Sequence, residues 1–169
     1  MLRLIAVLFA GFCSIPLANA QVSASAGVFS RGNVHGSLIA GYGSAFNDDY
    51  AVFGLGVNYY VIDGLAVGGN IETWRGGEPT LTKLTLSTQY VFYQVPNISP
   101  YIGAFYRRTY ISGLDDLNSY GARAGVLLRL GRNAYLGLGG VYETYDSCTE
   151  SRYHSCSDTY PEVTLTFAF

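Results

Sequence analysis

From Pro161 to Phe169 the chain alternates with period two. Val163, Leu165, Phe167 and Phe169 fall on one face, and Glu162, Thr164, Thr166 and Ala168 on the other. A strand that is apolar on one side must bury that side or lay it against lipid. No later segment of the sequence supplies a core, so the expected surroundings of that face are hydrocarbon. Backbone groups in hydrocarbon have no water to bond, and strands cross bilayers only as closed barrels. This stretch therefore predicts an all-β fold: an antiparallel, up-and-down transmembrane β-barrel, with residues 161–169 as its closing strand.

The other end agrees with export. Residues 1–20 carry Arg3, an apolar run over residues 4–12, and the small-x-small site Ala18, Asn19, Ala20, which together predict a cleaved secretory signal. The apolar run is too short to span a bilayer as a helix, which needs about 20 residues. Cys13 is expected to leave with it. The full chain has 10 basic and 12 acidic residues, for a net charge of −2. Loss of Arg3 makes the balance more acidic, which argues against nucleic acid as a partner. Charged residues are 13% of the chain, roughly half the usual share of about 25% in a soluble domain.

Turn signals divide the remainder into eight predicted strands: 34–45, 50–62, 65–75, 80–93, 101–111, 120–130, 134–145 and the closing strand. Asp63-Gly64 is the strongest hairpin signal. In the fourth strand, Leu84, Leu86, Tyr90 and Phe92 alternate with Lys83, Thr85, Ser87 and Gln89. An even strand count places both ends on the periplasmic side, with the longer loops outside at 46–49, 76–79, 112–119 and 146–160. Aromatic residues at strand ends are expected to form the interfacial girdles. Tyr60, Tyr93, Tyr101, Tyr135 and Phe169 would lie near the inside, and Tyr50, Trp74, Tyr110, Tyr145 and Tyr160 near the outside. Residues 21–32 show no clear periodicity and are expected to form a loosely held periplasmic extension, with the barrel domain at 33–169.

The polar faces place Glu72, Lys83, Arg107, Arg123 and Glu143 inside the barrel, with Asn58, Asn70 and Gln89. Eight strands enclose room for side chains and no wide channel, so a salt-bridged network filling the lumen is expected. A narrow selective channel is the alternative use of the same charges. Arg108 has outward parity, about 23 Å beyond Tyr101 at strand rise, and is expected to reach lipopolysaccharide phosphates.

Cys148 and Cys156 share the longest loop, and their close spacing in an oxidising compartment predicts a disulfide. Closing that loop would contribute about 2.6 kcal/mol. A zinc site with His154 and Asp158 is the competing use of the same thiols; no metal and no cofactor is expected. His154 with Ser155 or Ser157 and Glu162 also supplies the residue types of a lipid-ester hydrolase. No rigid strand is seen to hold them together, so an enzyme is not expected.

Two further stretches carry a resemblance. Residues 54–60, Gly-Leu-Gly-Val-Asn-Tyr-Tyr, lead through Asp63-Gly64 into Leu65-Ala66-Val67-Gly68, and Pro100-Tyr101-Ile102-Gly103-Ala104-Phe105 follows. With the terminal Phe169, they resemble the small outer-membrane β-barrels of Gram-negative bacteria, of the OmpX and OmpA-barrel kind, over essentially the whole mature chain. The resemblance implies an outer-membrane location, contact with lipid and lipopolysaccharide, and a monomer. It also implies recognition of Val163, Leu165, Phe167 and Phe169 by the outer-membrane insertion machinery. It carries no catalytic motif onto this sequence. The porin-like label such relatives bear is set aside, because eight strands make no general diffusion pore.

Overall fold

The computed structural model describes residues 27–45, 48–95, 97–146 and 156–169. Eight strands close into a barrel in which each pairs with its sequence neighbour and the last returns to the first. They are β1 (Val34–Ala45), β2 (Asp48–Ile62), β3 (Leu65–Arg75), β4 (Leu81–Val91), β5 (Ile98–Ile111), β6 (Leu117–Arg129), β7 (Ala134–Tyr145) and β8 (Ser157–Ala168). All pairings are antiparallel. Gly64, at φ 79°, makes the β2–β3 turn that the Asp-Gly signal predicts.

The barrel is inverted relative to a soluble one. Phe53, Leu55 and Val57 on β2, Leu84 and Leu86 on β4, and Val163 and Phe169 at the carboxy-terminal end are exposed on its outer surface. The buried residues include Glu72, Lys83, Arg107 and Glu143. An aliphatic exterior around a charged interior is stable only where the surroundings are apolar, so the eight strands form a transmembrane barrel.

The closing strand begins at Ser157 rather than Pro161, so residues 157–160 belong to the wall and not to the preceding loop. Pro161 lies inside β8 opposite Gly140 of β7. Its missing N–H is tolerated because β8 directs the backbone groups of its even-numbered residues to β7. The bond from the Ala168 amide to the Asn133 carbonyl (2.8 Å) and the bond from the Tyr145 amide to the Cys156 carbonyl (3.0 Å) set that phase.

Residues 27–32 correct the expectation of a loose extension. A short 3-10 turn, Gly27–Phe29, carries Phe29 into the barrel mouth at the terminus end, where it is only 4% exposed. Its ring lies 5.2 Å from Tyr135, 5.6 Å from His35 and 5.9 Å from Tyr60, centroid to centroid. The backbone is fastened too. The Gly32 amide donates to the Tyr60 carbonyl (2.8 Å), the Gly64 amide to the Phe29 carbonyl (2.9 Å), and the Arg31 amide to Asp63 Oδ1 (2.8 Å). His35 Nε2 bonds the Val28 carbonyl at 2.7 Å.

The girdle assignment also needs correction. Tyr110 and Phe169 do face outward, but Tyr60, Tyr101, Tyr135, Tyr50 and Trp74 are buried inside. Tyr145 and Tyr160 turn inward to Asp158 and Glu143, and Tyr93 packs against the cluster around Phe29. Height along the strand brings these residues to the girdle level, whereas parity decides which side of the wall a ring occupies. Further exposed rings on the outer face include Tyr42, Tyr59, Tyr106, Tyr120 and Tyr142.

Candidate functional site

The lumen is stacked in layers. At the terminus end Phe29, Tyr60, Ala66, Val91, Tyr101, Leu127 and Tyr135 form one apolar cluster. Toward the loop end Tyr50, Val52, Trp74, Leu81 and Ile111 form a second. The ionisable residues occupy inward positions next to the second cluster: Glu72 stands two residues before Trp74 on β3, and Lys83 two residues after Leu81 on β4.

Arg107 is the hub. It is 1% exposed and donates to Thr85 Oγ1 (2.9 Å), Glu143 Oε2 (2.8 Å), Tyr160 Oη (2.7 Å) and Glu72 Oε1 (3.2 Å). Cross-strand register explains part of the set, since Thr85 and Ser119 are the direct neighbours of Arg107 on β4 and β6. Glu143 is held further by the hydroxyls of Ser119 and Tyr160. Glu72 accepts from Asn70 Nδ2 (3.1 Å) and Trp74 Nε1 (3.4 Å). Lys83, opposite Glu72 in the ladder, places Nζ 3.6 Å from the centre of the Trp74 ring. Two acids and two bases thus balance within one buried layer. Small neighbours make the room: a Cβ at Gly54 would stand 2.8 Å from Glu72 Cγ, and one at Gly121 would stand 2.6 Å from the Phe105 ring. That ring in turn faces the Arg107 guanidinium at 4.9 Å.

Arg123 stands apart. It pairs with Glu162 at 3.2 Å, both side chains being 9% exposed. The pair borders a polar cavity of about 40 Å³ that is also lined by Ser37, Asn58, Asn70, Ser87 and Gln89. That is space for a few waters, since one needs at least about 10–15 Å³. Asn70 Oδ1 and Arg123 Nε and Nη2, buried near it, have no hydrogen-bond partner among the described residues.

Of the five residues singled out for the lumen, Glu72, Lys83, Arg107 and Glu143 are brought together and Arg123 forms a separate pair. Tyr160, Ser119, Thr85 and Glu162 complete these sets without having been singled out for them. The inward parity of Glu162 was visible in the alternation of the closing strand. The role of Tyr160 was hidden by its placement in a loop. Arg108 has an acidic partner of its own: Nη2 is 3.0 Å from Asp116 Oδ2, with both side chains exposed, so solvent screens the contact.

The hydrolase set cannot be traced as a unit. His154 and Ser155 lie outside the described residues, while Ser157 opens β8 opposite Thr144. Cys148 also lies outside them; Cys156 is disulfide-bonded. His35, the other histidine, is buried against the Phe29 plug.

No protein-family model matches the chain, and no curated protein matches it. Solved structures do. The N-terminal β-barrel domain of Pseudomonas aeruginosa OprF aligns with a TM-score of 0.62 at 13% identity, over 82% of this chain and 98% of that one. In fold, this is a small outer-membrane-type barrel. Neisserial surface protein A aligns at 0.55 and 15% identity, over 80% of this chain and 94% of that one. A de novo designed transmembrane β-barrel aligns at 0.52 and 19% identity, over 83% and 96%. A designed barrel ranking beside natural ones shows that the likeness concerns architecture and leaves activity open.

Proposed function

We propose that the protein is an integral outer-membrane barrel of a Gram-negative envelope, with a non-catalytic structural or surface-interaction role and a lumen closed to ions. The buried Arg107 layer carries this reading. Its guanidinium is engaged by Glu72 and Glu143 at once, and the Phe29 plug stands between it and the terminus-end mouth. In this reading the termini are periplasmic, and Val163, Leu165, Phe167 and Phe169 serve recognition by the insertion machinery. The chain acts as a monomer among outer-membrane lipid and lipopolysaccharide, without a cofactor. The disulfide-closed loop of Cys148 and Cys156 is the recognition surface.

Planar-bilayer recording tests the closed lumen. The refolded protein should give no discrete current steps in symmetric salt. Steady steps that change when Glu72 is replaced by glutamine would overturn the reading in favour of the narrow channel. Fatty acid released from phospholipid by the purified protein would overturn it in favour of the hydrolase.

A further inference from the structure

The segment that closes the terminus end is built as a body of its own. Gly27 and Gly32 stand at its two ends, both at positive φ (54° and 93°), and a Cβ at either would meet nothing within 4 Å. Glycine is required there by the turn of the backbone and not by lack of room. Between them the chain bonds to itself. The Ser30 amide donates to the Gly27 carbonyl (3.2 Å), the Asn33 amide to the Ser30 carbonyl (3.2 Å), and Asn33 Nδ2 to the Gly27 carbonyl (2.8 Å). The wall closes without it: the β1–β2 ladder begins at Val34↔Tyr59 and the β1–β8 ladder at His35↔Ala168. The Phe29 ring and the hydrogen bonds of Val28, Phe29, Arg31 and Gly32 fasten it to the barrel.

Directly beneath this body lies the polar cavity beside Arg123. Tyr60, Tyr101 and Leu127 belong both to the cluster around Phe29 and to the cavity lining. On the other side Asn70, also in the lining, donates to Glu72 of the Arg107 layer. The way from the cavity to the terminus-end mouth therefore runs past Phe29. An apolar ring thus covers a space walled largely by hydroxyl and amide groups. Arg123 and Glu162 neutralise one another at 3.2 Å, so an ion entering the cavity would find no uncompensated charge to meet it.

We infer that residues 27–32 are a hinged stopper, turning about Gly32, that opens the cavity to the water at the terminus end and admits water and uncharged solutes of similar size. The opening is local: Phe29 leaves its cluster as part of a self-bonded body, while the strand ladders stay paired. A chamber that opens at one end only conducts nothing, so the stopper and the closed lumen fail separately. Current steps across a bilayer would strike the closed lumen and leave the stopper standing.

Thiol labelling of the refolded protein tests it. Without reductant the disulfide of Cys156 stays closed, and Ser87→Cys places a reporter thiol in the cavity wall. Methyl methanethiosulfonate, small and uncharged, should label that thiol slowly when the rest of the chain is unaltered. Adding Phe29→Ala should speed the labelling at least about a hundredfold. Adding Gly32→Ala instead should speed it about tenfold, because its φ strains alanine although the new Cβ meets nothing. Thr109→Cys is the control. Thr109 is buried two residues past Arg107 toward the loop end, and its Oγ1 has no hydrogen-bond partner among the described residues. Its labelling rate should be the same with and without each stopper variant. Acceleration at both reporter positions would mean that the whole barrel loosens. An unchanged rate at the Ser87→Cys thiol in either stopper variant would mean that solutes arrive by another route. Each of these two results overturns the proposal.

Discussion

Arg107→Met is expected to destabilise the folded barrel by about 3–5 kcal/mol. The reason is the pair of carboxylates it leaves behind. Glu72 and Glu143 are 5% and 0% exposed, and each directs a carboxylate oxygen at the Arg107 guanidinium. Without that cation two negative charges remain in a buried layer with Lys83 as the nearest base, and breaking one side of a buried pair is far more damaging than never having had it. Urea unfolding from lipid vesicles, followed by Trp74 emission, measures the loss. Adding Glu72→Gln and Glu143→Gln to the same chain should recover most of it, since the uncompensated charges are then gone. A loss below about 1 kcal/mol, typical of an exposed ion pair, would show that water reaches this layer and that it seals nothing.

Phe29→Ala is the second large effect, and it should be confined to one end of the molecule. Truncating a buried phenylalanine costs about 3–5 kcal/mol, and Phe29 packs on Tyr60, Tyr135 and His35. Residues 27–32 precede β1, so the loss falls on docking of the plug, while the ladders of the barrel remain. The bonds from the Gly32 amide to Tyr60 and from the Gly64 amide to Phe29 report it directly. At about 1.4 kcal/mol per tenfold, their exchange should accelerate at least a hundredfold. Unchanged exchange at both amides would mean that the backbone bonds alone hold the segment, and that Phe29 is not its anchor.

Much of the wall was legible in the sequence because strand alternation is a local signal. The bounds expected for β1, β3 and β7 coincide with those observed, and parity alone put Glu72, Lys83, Arg107, Arg123 and Glu143 inside. The failures share a cause, which is information that is not local. Phe29 is one apolar residue in an aperiodic stretch, and only the aromatic cluster it meets at the end of β2 and the start of β7 gives it a role. Tyr60, Tyr101 and Tyr135 lie at girdle height, but their parity, which the alternation itself carries, turns them inward. Pro161 read as the start of a strand, because proline within a ladder is unfavourable. It is accommodated in mid-strand because the neighbour it fails, β1, is unpaired at that height. The Arg123–Glu162 pair joins β6 to β8, strands that are not neighbours in the wall, so no ladder register could have announced it.

The central claim is that this chain closes into a barrel with lipid outside and charge inside. Gel mobility of residues 21–169, refolded into phosphatidylcholine vesicles and run unheated beside a heated sample, tests it most directly. A closed strand ladder resists detergent until it is heated, so the unheated sample should run as a faster band that shifts to the full-length position on boiling. A protein that stays in solution without lipid or detergent and runs identically in both lanes would contradict it.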